Sequence, residues 1–221
     1  MNMDERQNFF TTYKVPDPVR IEKAARFVRG YFRSLSEISI LECGICSGGL
    51  ADMLNKEGAD CYGIDINPRD IPGIKIYQAD LNRGFPAFNR SFDIIFAGEI
   101  MEHLFDERKF IRSCNKLLKP GGLLIVTVPN LGFIVNRLLI LFGKMPMFSY
   151  APFHYHIYTK RTLQGLLGGE GFRILKLSSS HLLFSTRRNK SGRIFEVLGD
   201  LFPSLGAHLI AYAQKVEQGP A

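Results

Sequence analysis

Five short apolar runs, Ile38 to Cys43, Cys61 to Ile66, Ile74 to Ala79, Phe92 to Ala97 and Leu123 to Val128, recur between helical patterns, and that rhythm admits very few folds. Each run is nearly continuous in apolar character. Strands read this way when helices cover both faces of a parallel sheet. Helical spacing lies between the runs at 49 to 57 and 107 to 118. An amphipathic helix precedes them, with Pro18 at a first-turn position and Val19, Ile21, Ala24, Ala25, Val28, Tyr31, Phe32 and Leu35 on one face. The order predicts a three-layer α/β/α sandwich with right-handed crossovers. Ligands of such sheets collect beyond the carboxyl ends of the strands, here the loops Glu42 to Gly49, Asp65 to Asp70, Asp80 to Arg83 and Gly98 to His103.

With 221 residues, 46% of them hydrophobic, the chain can bury one sizeable core and is too short for two comfortable domains. Its longest unbroken apolar runs, Leu138 to Phe142 and Leu123 to Val126, fall far short of a membrane span. The start, MNMDERQNFF, mixes acids with bases and does not read as a signal peptide, so the cytoplasm is the expected compartment. Cys43, Cys46, Cys61 and Cys114 sit inside apolar or helical patterns and are expected as buried thiols. Cys43 and Cys46 form a C-x-x-C without a second pair at zinc-ligand spacing. The 28 Lys/Arg against 21 Asp/Glu give a net charge of +7, concentrated in residues 131 to 195, where 10 bases face the single acid Glu170. Such a segment is either a solvated face or an attractor of phosphate, anionic lipid or nucleic acid.

The first loop reads Glu42-Cys43-Gly44-Ile45-Cys46-Ser47-Gly48-Gly49, a strand running through small residues into a helix. In the dinucleotide frame G-x-G-x-x-G the middle glycine is replaced by Cys46, which makes an NAD-linked oxidoreductase a distant reading. A carboxylate two residues before the first glycine suits a cationic amine better than a pyrophosphate. Asp65 closes the second strand 21 residues beyond Gly44, near the spacing at which an acid accepts ribose hydroxyls. Asp80 closes the third strand, where a carboxylate can accept from an adenine amino group and Leu81 can offer its backbone N–H. Three successive strand-ending acids are far more specific than any one.

With these residues the chain resembles the class I S-adenosylmethionine-dependent methyltransferases from about Ile38 to Asn130. The likeness resumes at Tyr158-Thr159-Lys160-Arg161-Thr162-Leu163 through Gly171-Phe172. The resemblance implies a seven-stranded, mostly parallel, Rossmann-like sheet whose last strand, Leu209 to Lys215, runs antiparallel. It implies S-adenosylmethionine as cofactor, with Gly44 and Gly48 at its methionine end and Glu42 near its amine. Asp65 with Ile66 would lie at the ribose, Asp80 with Leu81 at the adenine, and Gly98 on the methionine side. Cys46 departs from the family's usual glycine, and its Cβ is expected to narrow the turn at some cost in cofactor affinity. A single methyltransferase domain over 1–221 follows: a helical segment 1–35, a cofactor-binding core 36–130, an inserted lid or acceptor-recognition segment 131–158, and a closing helix and strands 159–221.

Directly after the fourth strand stands Gly98-Glu99-Ile100-Met101-Glu102-His103, whose Glu99, Glu102 and His103 would share a face if the segment coils. Glu99 and His103 are the candidate catalytic groups, needed as bases only where the acceptor must lose a proton. The E-x-x-E-H string is similar to that of quinone-biosynthesis and small-RNA O-methyltransferases for which a divalent metal is described, which makes Glu99, Glu102 and His103 candidate ligands. The plainer reading has His103 bonding a neighbouring loop and Glu102 capping a helix. In the inserted segment, His154 and His156 flank Tyr155, and at most one of them is expected to face the site. The aromatic and aliphatic residues of 131–161, mixed with Arg137, Lys144, Lys160 and Arg161, suit core packing, or a membrane surface and an amphiphilic acceptor. The expected acceptor is a small molecule or a lipid- or glycan-linked one, modified at oxygen, with peripheral contact at the inner membrane face. A catalytically weak cofactor-binding scaffold and an RNA-directed methyltransferase are the alternatives. A second basic cluster, Arg187, Arg188, Lys190 and Arg193, reads as a loop before the last strand.

Overall fold

The computed structural model describes residues 18–46, 48–147, 153–183 and 190–216. The opening segment, Phe148 and Tyr150 of the inserted stretch, the cations Arg187 and Arg188, and the side chains of Lys190 and Arg193 lie outside the described residues. The chain order is α1 (Pro18–Tyr31), β1 (Ser39–Cys43), α2 (Leu50–Asn55), β2 (Asp60–Asp65), β3 (Lys75–Gln78) and β4 (Phe92–Gly98). A 3₁₀ turn, Met101–His103, leads to α3 (Glu107–Leu117) and β5 (Leu118–Pro129), then α4 (Ile134–Leu141) and α5 (Lys160–Gly169). The chain closes with β6 (Phe172–Ser179), α6 (Lys190–Leu201), a 3₁₀ turn Pro203–Leu205, and β7 (His208–Lys215).

The seven strands form one sheet in the order β3-β2-β1-β4-β5-β7-β6. Strands β1 to β5 pair in parallel, whereas β7 is antiparallel to both β5 and β6. The order reverses beside β1, whose neighbours are β2 and β4, so the carboxyl ends of these strands border a crevice.

In register, Leu41, Ile95, Leu124 and Ala213 lie across from one another and face one core. There they meet Phe110, Ile111 and Cys114 of α3 and Leu163, Leu166 and Leu167 of α5. Their sequence neighbours Ile40, Ile94 and Ile125 face the opposite core, filled by Ala24, Ala25 and Val28 of α1 and Leu50, Ala51 and Leu54 of α2. The two-residue period of the strands thus loads both faces, which explains the continuous apolar runs.

The opening helix stops at Tyr31 instead of continuing to Leu35. Ser34 and Ser36 follow, their hydroxyls bonded to each other at 2.9 Å, and serines draw the chain out of helix by such local bonds. Phe32 and Leu35 still pack on the α1 core. Strand β5 begins at Leu118, earlier than the expected Leu123, because the Lys119 to Gly122 turn is taken up in a register shift against Phe92 and Ile94.

Candidate active site

A cavity of about 470 Å³ opens beyond the carboxyl ends of β1 to β4, where the topology reverses. Each of the four expected loops contributes. The first supplies Gly44 and Cys46, the second Asp65 to Arg69, the third Asp80 to Asn82, and the fourth Gly98, Glu99, Ile100 and His103. Gly44 adopts φ 73°, and a Cβ there would run into Ile100, so this position requires glycine on both counts. The N–H groups of Gly44 and Ile45 donate to the Ile64 carbonyl at 2.7 and 3.2 Å, tying the loop to β2.

Asp65 is anchored on both oxygens: Cys46 N donates to Oδ2 and Asn67 N to Oδ1, each at 2.8 Å. The carboxylate is thereby fixed at the cavity wall while each oxygen keeps a lone pair for a further donor. Asp80 Oδ1 accepts from Asn82 N at 3.0 Å, and Asn82 Oδ1 in turn accepts from Phe105 N at 2.7 Å. Ile66 and Leu81 complete the wall beside these acids. Cys46 takes a left-handed backbone, φ 53°, the conformation that the glycine usual at this place adopts without strain.

Glu42 and Gly48, expected at the methionine end, lie outside the cavity lining. Glu42 is 3% exposed and accepts from Ala51 N at 2.6 Å, at the amino end of α2. Gly49 covers it, and a Cβ at Gly49 would collide with the Glu42 carboxylate. Burial pushes the Glu42 carboxyl up to about 8 against the pull of these backbone donors. Cys43 points into the α3 core, where burial raises its thiol, and Cys46 stands on the cavity wall, both as free cysteines.

The E-x-x-E-H string does not coil as one helical face. Glu99, directly after β4, has φ 56° and only Met101–His103 turns, so Glu99 leaves the direction of the other two. Its Oε1 lies 2.5 Å from Arg20 Nη1 and accepts from Thr127 Oγ1 at 2.9 Å, and Oε2 lies 3.6 Å from His208 Nε2. Glu99 and His103 both line the cavity. The trio Glu99, Glu102 and His103 is therefore not assembled. Instead Glu102, His103 and His154 bring ligand atoms within 4.8 Å of one another. Glu102 is 1% exposed, and neither carboxylate oxygen has a hydrogen-bond partner. Burial raises its carboxyl well above the usual range, and the nearby Glu99 adds to the shift. His103 Nδ1 lies 3.1 Å from the Phe153 carbonyl, an atom that only accepts, so Nδ1 carries a proton. His154 and His156 lie on one side of their stretch, both half-buried with Tyr155 exposed between them, but meet different partners: His154 packs edge-on against His103, whereas His156 Nε2 lies 2.8 Å from Glu107.

Sequence reading missed Arg20, Thr127 and His208 as partners of Glu99. Arg20 and His208 stand 79 and 109 positions from Glu99, beyond the reach of a short motif, and the apolar face read in the opening helix leaves out Arg20, which is 4% exposed.

The fold agrees with comparisons to known proteins. The curated ubiquinone biosynthesis O-methyltransferase of Cereibacter sphaeroides is 30% identical over 103 residues, 42% of this chain and 42% of that protein. The chain thus matches less than half the length of that relative. Among solved structures, N-methyltransferase NodS from Bradyrhizobium japonicum, in complex with S-adenosyl-L-homocysteine, superposes with a TM-score of 0.59 at 18% identity, covering 98% of this chain and 100% of NodS. The Burkholderia thailandensis 1,6-didemethyltoxoflavin-N1-methyltransferase gives 0.60 at 12% identity, covering 91% of this chain and 80% of that one. At such identities these two speak for the fold. The family model described as a methyltransferase domain matches residues 19–177, most of the chain, and the chain belongs to that family.

Proposed function

We propose that the chain transfers a methyl group from S-adenosylmethionine, by in-line displacement, to an oxygen of a small-molecule or lipid- or glycan-linked acceptor. One observation carries the reading: two strand-ending carboxylates, Asp65 and Asp80, face a single cavity beside a loop in which a side chain at Gly44 would clash. Two anchored acids spaced along adjacent strands suit a nucleoside, and NodS, of similar fold, is described in complex with S-adenosylhomocysteine. Asp65 would take the ribose hydroxyls, Asp80 and the Leu81 N–H the adenine edge, and Gly44 and Gly98 the methionine end. Glu42, buried beneath Gly49 and outside the lining, would hold the glycine loop in place through the bond it accepts from Ala51 N.

The cofactor, when bound, supplies a methyl group already activated on a sulfonium, so the chain has no covalent intermediate to form. Its residues need to align the acceptor, exclude water and receive one proton. His103 Nε2 is suited to receive it, and Glu99, gripped by Arg20 and Thr127, is suited to hold an acceptor hydroxyl. Reaction at oxygen is supported by the O-methyltransferase names of the curated relatives.

A divalent cation would fit Glu102, His103 and His154, since a buried carboxylate without a partner calls for a positive one, and His103 Nε2 would then be its ligand in place of a proton acceptor. Such an ion would lower the pKa of a hydroxyl near it. Calorimetric titration with Mn²⁺ should give one site that Glu102→Gln removes while S-adenosylhomocysteine still binds. Heat that is unchanged in the variant would sink this ligand set.

The test of the function is incubation with methyl-labelled cofactor and fractionated lysate. Label should enter a small-molecule, lipid or glycan pool. Label confined to RNA would replace the acceptor class, and cofactor binding without any transfer would leave a scaffold.

A further inference from the structure

Among the described residues, fifteen large hydrophobic side chains are exposed, and thirteen of them lie in connections that leave the carboxyl ends of β4, β5 and β6. Only Tyr31 and Val216 lie elsewhere. Scattered apolar exposure is ordinary on protein surfaces, but the crowding of eight of the fifteen into residues 138–157 is not. The segments are joined to one another. Arg137 Nη2 of α4 reaches the Ser204 carbonyl at 3.4 Å, next to exposed Phe202, and Leu131 N donates to the Tyr158 carbonyl at 2.8 Å, next to exposed Ile157. Phe105, whose ring packs on Tyr155 at 4.8 Å, adjoins the cavity through its bond to Asn82. The most exposed pair, Leu141 at 76% and Phe142 at 74%, ends α4.

On α6 the polarity is turned inside out. Asp200 faces inward onto Lys23 Nζ at 2.8 Å, and Ile194, Val197 and Leu201 face outward at helical spacing. Residues 131 to 169 contain no acid, while Arg137, Lys144, Lys160 and Arg161 are all exposed beside the apolar side chains. No helix among the described residues is long and apolar enough to cross a membrane. Over residues 131 to 169, aliphatic tips beside cations and free of acids match an interface of acyl chains beneath anionic headgroups.

We infer that this end of the sheet docks on an anionic phospholipid bilayer, with α4 and its following turn as the principal inserted element. The surface deepens the function proposed above, because it would present the cavity to an acceptor held in the membrane. The two readings are tested separately: vesicle binding needs no cofactor, and cofactor binding needs no vesicle.

The whole chain is sedimented with vesicles of phosphatidylglycerol mixed with phosphatidylcholine, and with phosphatidylcholine alone. Binding should favour the anionic vesicles, weaken as salt rises, and fall tenfold or more in Leu141→Asp/Phe142→Asp. Charge reversal in Lys144→Glu/Lys160→Glu should remove the preference for anionic over neutral vesicles. Both pairs are exposed, so melting curves should be unchanged, and titration of S-adenosylhomocysteine should be unaffected. Wild-type protein left in the supernatant, or variants that bind like the wild type, would overturn the inference. So would a wild-type dimer in sedimentation velocity that Leu141→Asp/Phe142→Asp converts to monomer, since the face would then be covered by a second copy.

Discussion

Cys46 pairs a left-handed backbone, φ 53°, with an N–H held by Asp65, so the acid that would bind the ribose also fixes the strained turn. An L-residue in this conformation costs about 1–2 kcal/mol, of which glycine would return roughly half after its greater unfolded-chain entropy is counted. Cys46→Gly should raise the melting temperature slightly and tighten S-adenosylhomocysteine a few-fold by removing a side chain from the cavity wall. Looser binding would mean that the thiol supports the ligand. Asp65→Ala should weaken the same ligand by about 1–3 kcal/mol, because a carboxylate holding hydroxyls makes charge-assisted bonds of that order. Unchanged affinity would remove Asp65 from the site. Glu42 carries a pH signature. Its folded carboxyl, at about 8, lies above the ordinary 4.5, so the folded state holds a proton that the unfolded chain releases. The stability this supplies is complete below about 4.5 and drains away as pH rises toward about 8. Melting temperatures of the wild type should fall over that window more than those of Glu42→Gln, whose amide still accepts from Ala51; parallel curves would show that Glu42 does not titrate there. At this scale Asp65, Asp80 and Gly44 were legible because strand ends announce them in sequence. Glu99 was misread, because a positive φ at one residue redirected its side chain and no local pattern encodes that reversal. His154 was not legible, because its meeting with His103 is a contact across 51 positions.

At the scale of elements, α1 is tied to the sheet end by two buried cations rather than by its apolar stripe alone. Arg20 meets Glu99 and Thr127, and Lys23 donates to Asp200 and to the carbonyls of Ser179 and Glu196. Burial draws Lys23 below its usual pKa, partly offset by Asp200. Removing one partner of a buried pair strands the other charge, so Arg20→Met should cost about 3–5 kcal/mol in denaturant unfolding. Adding Glu99→Gln should recover much of that loss, because neither charge then remains. If the losses simply add, the two residues are not coupled and Glu99 is held by other groups. The elements themselves were readable: the strand cores fall within or close to the apolar runs, and α2 and α3 lie within the expected helical spans. Their ends were less so, since a serine pair ended α1 and a glycine turn was absorbed into β5 by tertiary pairing.

For the whole molecule, topology was the most legible property, because continuous apolar strands alternating with helices leave a doubly covered sheet as nearly the sole economical arrangement. What such reasoning supplies is the place of the cavity, at the reversal beside β1; what it leaves open is which nucleoside fills it, since the same crevice serves dinucleotides in other sheets. The choice can be made by linkage. A ligand that binds only the folded chain stabilises it by about 2.7 kcal/mol at one hundred times its dissociation constant. For a domain of this size that is a rise of roughly 5 to 10 °C in melting temperature. S-adenosylhomocysteine should produce it and NADH should not, because Cys46 stands where a dinucleotide loop needs its middle glycine. Asp65→Ala and Asp80→Ala should each blunt the shift, their effects adding where the two acids grip separate parts of one ligand. A shift with NADH equal to that with S-adenosylhomocysteine would assign the crevice to a dinucleotide, whatever the likeness of the fold.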